Sequence, residues 1–237
     1  KLKNNFSHVI NLVGSSDQVF SKKKINNIHY QTAKKVMNYF SEKKVIKFIQ
    51  VGSAAEYGSK KTPHKENINC APKSLYGYSK LRATKHLLSL VKKKNFNATV
   101  VRLFQVYGEN QNNDKIIPYI LKKCLLDKKF KLTEGLQTRD FCHINDVVRG
   151  IFLLLGKKNT KGEIYNIASG KDISIKKLTQ TIVRIVGFGK PLFGAIRVRK
   201  NEIFKSKADI KKIVKIGWKP RINLETGIKM LLKKNEK

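Results

Sequence analysis

The stretch VIKFIQVGSAAEYG, residues 45–58, decides how this chain is read. Its first half, Val45 to Val51, is rich in β-branched and apolar residues and reads as a strand buried in a sheet. Gly52-Ser53 ends it. Working outward, the same signal recurs on both sides. Upstream, Val9–Val13 is a second apolar run, closed by Gly14. Downstream, Ala98–Phe104 (ATVVRLF) is a third. Helical patterns fill the gaps. Residues 25–40 form one, with Ile28, Thr32, Val36 and Phe40 near one face. Tyr76 to Val91 form another, with Leu81, Leu87, Leu88, Leu90 and Val91 supplying apolar positions. Strands alternating with helices predict an α/β chain with a parallel sheet and covering helices. Ligands in such sheets sit beyond the carboxyl ends of the strands. Ser53 and the segment Arg102–Tyr107 lie at those ends.

After Gly108 the pattern loosens. A helix is expected over 113–127, a short strand at 130–132, a helix over 145–155, a strand over 163–167 and a helix over 173–186. A helix after Lys205 and a last one from Leu224 close the chain. No repeat or low-complexity linker separates these pieces. The chain therefore divides into a sheet domain over 1–108 and, over 109–237, a small α/β lobe with some elements returning to the sheet.

Bulk properties narrow the partners. The chain has 237 residues, 41% of them hydrophobic, which suffices for a packed core, but its net charge is +35. Lysines outnumber arginines and are spread along the chain as short runs beside apolar residues, such as Lys22–Lys24 and Lys92–Lys94. That is the look of solvated helix ends. Arginine, the better reader of phosphates and bases, is scarce, so no nucleic-acid partner is expected. The field would still attract an anionic nucleotide. Cys70, Cys124 and Cys142 stand far apart without a CxxC, which fits reduced thiols in a cytoplasmic protein. No apolar run approaches the ~20 residues needed to span a bilayer.

The candidate chemistry centres on Ser53, Tyr76 and Lys80. Tyr76 and Lys80 fall at i and i+4 of a helix and share a face. A phenol with a reference pKa of ~10 is a poor base at neutral pH. A cation within ~4–6 Å lowers it, and the tyrosine then shuttles a proton to or from a hydroxyl. Ser53 follows a strand directly and could bind the same oxygen. Taken alone, the spacing also fits a surface tyrosine and lysine on an exposed helix.

The ordered segments VGSAAEYG (51–58), SLYGYSKL (74–81), RLFQVYG (102–108), RDFCHINDVV (139–148), YNIASG (165–170) and KIGWKPRINLETGI (215–228) together resemble the extended short-chain dehydrogenase/reductases. More narrowly, they resemble the NAD-dependent epimerase/dehydratase family acting on sugar nucleotides. The resemblance covers essentially the whole chain. It implies a Rossmann-like sheet, NAD or NADP as cofactor, a nucleotide-sugar substrate and a homodimer when full length. By position it implies Ser53 as the substrate-binding catalytic serine and Tyr76 as acid/base. Lys80 would lower the tyrosine and hold the nicotinamide ribose. Val13, Gly14 and Asn27 would lie on the cofactor, Asn27 as a structural asparagine. Arg139, Arg199 and Glu202 would contact the substrate nucleotide. Gln105 stands where the family usually has asparagine and would contact the sugar nucleotide. Asp140 and Asp146 read as structural, His143 as a packed or hydrogen-bonded histidine, and Trp218 as core.

The resemblance also sets limits. No Gly-x-x-Gly-x-x-Gly loop, the usual pyrophosphate cradle, occurs in the 237 residues. By family pattern Val9–Val13 matches the fourth strand, so three strands and that loop are expected upstream, and the chain alone is expected to bind dinucleotide poorly. Family dehydratases carry an acidic pair just after the serine, and decarboxylases a glutamate where Ala55 stands. Ala54 and Ala55 do no acid/base work. Epimerases and 4-keto reductases remain, with a slight lean to the reductases. A truncated binding or regulatory protein is the competing class.

Overall fold

The computed structural model describes residues 6–15, 21–200 and 202–235. Its main sheet has four parallel strands in the order β1-β2-β3-β7: β1 (His8–Asn11), β2 (Lys47–Ser53), β3 (Ala98–Leu103) and β7 (Ile164–Ile167). The register aligns Ile10 with Ile49, Val51 with Val101, and Val101 with Tyr165. β2 is buried along nearly its whole length because helices cover both faces. On one face lie α2 (Thr32–Ser41) and α3 (Leu75–Lys94), where Met37, Phe40, Leu87 and Leu90 pack on Phe48 and Val100. On the other lie α5 (Ile144–Gly156) and α7 (Lys211–Lys215), where Ile151, Leu154, Ile213 and Trp218 pack on Ile49, Val101 and Ile167.

The lobe has its own core. It joins α4 (Ile116–Leu125), α6 (Ile175–Val186) and α8 (Leu224–Asn235) through Ile117, Ile120, Leu178, Ile182, Ile228 and Leu231. A parallel pair, β5 (Lys129–Lys131) with β9 (Lys190–Leu192), flanks it. A second small sheet, ordered β4-β6-β8, is built from β4 (Gln105–Tyr107), β6 (Thr138–His143) and β8 (Asp172–Ser174). It links the lobe to the main sheet, because β4 follows β3 directly and α5 follows β6.

Several boundaries differ from the sequence expectation. The strand expected at 45–51 lies two residues later. The strand at 98–104 splits at Phe104 into β3 and β4. β8 occupies the start of the helix expected from Ile173, and β9 was not foreseen. The helix over 25–40 is a short α1 (Lys22–Asn26), a π-turn over Asn27–Gln31, and α2. Its buried face carries Ile25, His29, Ala33, Met37 and Phe40 rather than Ile28, Thr32 and Val36. The cause is His29: a polar residue holds a core position, so counting apolar residues rotates the face.

The four residues read as structural tie together segments of the second half of the chain. The Asp140 carboxylate accepts the backbone N–H groups of Ser169, Gly170 and Ala208. Asp146 accepts those of Arg221 and Ile222, and Trp218 Nε1 donates to the Asp146 carbonyl. His143 caps α5, its Nδ1 accepting from Asn145 N–H at 3.2 Å.

Candidate active site

Ser53 is the last residue of β2 and the N-cap of a short 3₁₀ turn, Ala54–Glu56. Its Oγ accepts Ala55 N–H at 3.2 Å, and its own N–H donates to Glu56 Oε1 at 2.9 Å. This reciprocal pair is a capping box closed over a single turn. Glu56 is fully buried and its other oxygen accepts from Arg102 Nε on β3 at 2.9 Å. The Arg102 guanidinium in turn lies over the Tyr57 ring, 4.5 Å from its centroid. Ser53 is thereby anchored to two adjacent strands.

Tyr76 and Lys80 occupy the first turns of α3. Ser74 caps this helix by accepting Gly77 N–H at 3.1 Å. Gly77 is where α3 meets the serine turn: a Cβ there would fall 2.5 Å from the Ala55 carbonyl oxygen. Only glycine permits that approach, and it sets Tyr76 near enough to Ser53 for the serine hydroxyl to oppose the rise of its phenol. Lys80 is buried, and its Nζ donates to the carbonyls of Val13 at 3.2 Å and Val51 at 3.1 Å. It ties the ends of β1 and β2 to α3.

The electrostatics depart from the expectation. Burial raises the Tyr76 phenol above its ordinary value, the Ser53 hydrogen bond opposes this, and the Glu56 charge adds to it. Burial lowers Lys80, and Glu56 opposes that. Burial of the phenol thus outweighs the lowering expected from a neighbouring cation. The Lys80 ammonium is directed at two carbonyls, and desolvation of the phenol dominates.

Of the other expected residues, Val13 and Gly14 lie beside Lys80. Asn27 is exposed on the π-turn and is not brought to this group. Gln105 is exposed on β4. Arg139 and Glu202 meet as an ion pair, and Arg139 Nη1 also donates to the carbonyls of Thr138 at 2.8 Å and Ile203 at 2.6 Å. Arg199 is exposed, and its carbonyl accepts Glu202 N–H at 3.1 Å. A surface cleft of about 820 Å³ lies elsewhere, against Gly108, Pro118, Lys122 and Leu231.

Two residues were missed by the sequence reading. Glu56 was passed over because nothing local marks it as buried. His29 was left out because the face was counted from apolar residues alone. It is 1% exposed, and its ring stands edge-on to Tyr76 with centroids 4.8 Å apart. Burial and the Lys80 charge lower it to about 4.

Comparison with known proteins agrees with this geometry. The family model described as NAD dependent epimerase/dehydratase family matches residues 2–168. A putative UDP-glucose 4-epimerase of Methanocaldococcus jannaschii is 31% identical over 192 residues, 79% of this chain and 61% of that protein. A dTDP-4-dehydro-6-deoxyglucose reductase of Escherichia coli is 31% identical over 188 residues, 75% of this chain and 57% of that protein. The chain thus spans about three fifths of the length of these relatives. The crystal structure of a UDP-glucose 4-epimerase from Thermotoga maritima with UDP-glucose superposes with a TM-score of 0.90 at 23% identity, over 98% of this chain and 78% of that one. With more than half its length matched by the family model, this chain belongs to the NAD dependent epimerase/dehydratase family.

Proposed function

We propose that the protein acts on a nucleotide-linked sugar with a nicotinamide dinucleotide, interconverting a ring hydroxyl and a ketone, with keto reduction favoured over epimerisation. The placement of Ser53, at the end of β2, against the first turns of α3, which carry Tyr76 and Lys80 one helical turn apart, carries this reading. The bound dinucleotide supplies or accepts a hydride at the sugar carbon. Ser53 Oγ orients the sugar oxygen beside the Tyr76 hydroxyl. Tyr76 passes its proton to that oxygen as the carbonyl becomes a hydroxyl, and takes it back in the reverse direction. A phenol raised by burial is protonated at neutral pH, as the acid half of either reaction requires. Ala54 and Ala55 offer no second acid or base, so water elimination is not part of the reading.

The residues fit the dinucleotide. Two of the three Lys80 N–H groups are used on carbonyls, leaving one to donate, beside Gly14, which carries no side chain. Val13, Gly14, Tyr76 and Lys80 would hold the ribose end. Arg139, Arg199, Glu202 and Gln105 would meet the sugar nucleotide across the β4-β6-β8 sheet. A division at residue 108, a homodimer, a cytoplasmic location and no nucleic-acid partner belong to the same reading. Val148 and Phe152, exposed one turn apart on α5, support the dimer. No described helix is long and apolar enough to cross a membrane.

The test is an assay of the full-length protein against UDP-, dTDP-, CDP- and GDP-linked 4-keto sugars with NADH or NADPH. Stoichiometric cofactor oxidation with formation of the hydroxy sugar is expected. An epimer formed without net cofactor turnover would move the assignment to the epimerases. Absence of both, with no binding of any sugar nucleotide, would overturn it.

A further inference from the structure

Glu56 and Arg102 form an ion pair at 2.9 Å, with the carboxylate fully buried and the guanidinium 2% exposed. Stability alone does not call for such a pair, because apolar residues of similar volume are often as stable. What the pair adds is direction. The carboxylate folds back over Gly52, where a Cβ would fall 2.4 Å from Glu56 Oε1. Gly52 therefore makes the room in which Oε1 accepts the Ser53 N–H at 2.9 Å. The turn that follows is held at its far end too. Tyr57 lies under the Arg102 guanidinium, and its hydroxyl donates to Asn166 Oδ1 at 2.7 Å. Inside this frame Ala55 N–H donates to Ser53 Oγ at 3.2 Å. One lone pair of Oγ is thereby engaged, and the O–H stays available to a neighbouring oxygen. The same turn packs against Gly77 on α3, the helix that carries Tyr76.

We propose that Glu56 is a positioning residue of the candidate active site: clamped by Arg102 over the bare Gly52, it sets the Ala54–Glu56 turn so that Ser53 presents its hydroxyl as a donor. Fixing Ser53 in this way does not depend on the reaction. That the accepting oxygen belongs to a keto sugar rests on the function proposed above. A donor suits a ketone, which can only accept. Negative charge that develops on the ketone oxygen during reduction strengthens the bond. Glu56 acts through the Ser53 backbone and stands outside the chemical step. Its charge also reaches two neighbours on α3, raising Tyr76 and Lys80, so both are held toward their protonated forms.

The test compares two double variants of the full-length protein. Glu56→Gln with Arg102→Met keeps an amide oxygen that can accept the Ser53 N–H. Glu56→Ala with Arg102→Met leaves that N–H without its acceptor, and neither variant strands a buried charge. In reduction of a nucleotide-linked 4-keto sugar, the alanine variant is expected to lose about tenfold or more in kcat, with KM for the sugar nucleotide little changed. The glutamine variant is expected to keep most of the rate. Gly52→Ala, which retains every charge, is expected to lower kcat likewise, since its methyl displaces the carboxylate. Wild-type kcat in both the alanine double variant and Gly52→Ala overturns the proposal, as does an equal loss in the two double variants. Crystal structures of the same proteins read the geometry without turnover. The hydrogen bond from Ala55 N–H to Ser53 Oγ is expected in the glutamine variant and broken in the alanine variant. A turn unchanged in both overturns the proposal whatever the rates. If the turn follows the carboxylate but the wild type reduces no sugar, the proposed function fails and the positioning of Ser53 stands.

Discussion

At the residue scale, Glu56 shows how the site is held. One carboxylate accepts the Ser53 N–H and the Arg102 Nε, and it reaches Tyr76 and Lys80 through its charge. A buried ion pair is costly to break one partner at a time, about 3–5 kcal/mol, because the other charge is stranded. Glu56→Gln is expected to lose stability of that order in urea unfolding, while Glu56→Gln with Arg102→Met recovers most of it. An unchanged unfolding midpoint in the single variant would contradict the pairing. Ser53, Tyr76 and Lys80 were legible in the sequence because their placement is local: a strand end and one helical turn. Glu56 and His29 were not, because burial of a polar residue is decided by what packs on it, and that comes from strands and helices far along the chain.

At the element scale, α3 docks on the serine turn through Gly77. Alanine is the better helix former by roughly 0.8–1.0 kcal/mol, so propensity alone favours Gly77→Ala. Contact with the Ala55 carbonyl says the opposite for the site, since the added Cβ at 2.5 Å forces the helix start away. Gly77→Ala is expected to keep its helical circular dichroism yet lose at least tenfold in turnover. A fully active, stabilised variant would show that the approach does not matter. The main-sheet strands and long helices were readable from their apolar runs. The buried face of the helix after residue 21 was read one position out, since His29 breaks the pattern. Short pieces such as β8 and β9 were misread or missed, because three-residue strands are made by their partners rather than by their own composition.

At the scale of the whole molecule, buried histidines set the response to acid. His29 and His64 are each lowered to about 4 by burial. Unfolded, they titrate near 6.5. Between those values the unfolded chain binds more protons, so stability falls as pH drops from about 6.5 to 4. Each contributes roughly 3 kcal/mol across that window, at ~1.4 kcal/mol per unit. Melting temperatures from pH 7 to 4.5 should fall, and should fall less in the variant carrying His29→Leu and His64→Phe; equal slopes would contradict this. Lys47 behaves in the opposite range. Its ammonium, buried against Thr160 and Asn97, is lowered to about 8. Lys47→Met is expected to stabilise the protein at pH 7, with the advantage shrinking as pH rises past 8 toward 10, where the folded lysine is already neutral. The parallel sheet and the order of its motifs were legible from sequence. A strand over 163–167 and a return of lobe elements to the sheet were expected too, but that this strand is the one that pairs with β3 was not, since the pairing joins residues some sixty positions apart. The catalytic role of Tyr76 is tested most directly by deuteride transfer. The full-length protein is given deuterated NADH or NADPH and a nucleotide-linked 4-keto sugar, and deuterium on the sugar carbon is followed by NMR. Tyr76→Phe is expected to slow that transfer by ~10²–10⁴ while sugar-nucleotide binding persists; transfer at the wild-type rate would contradict the role assigned to it.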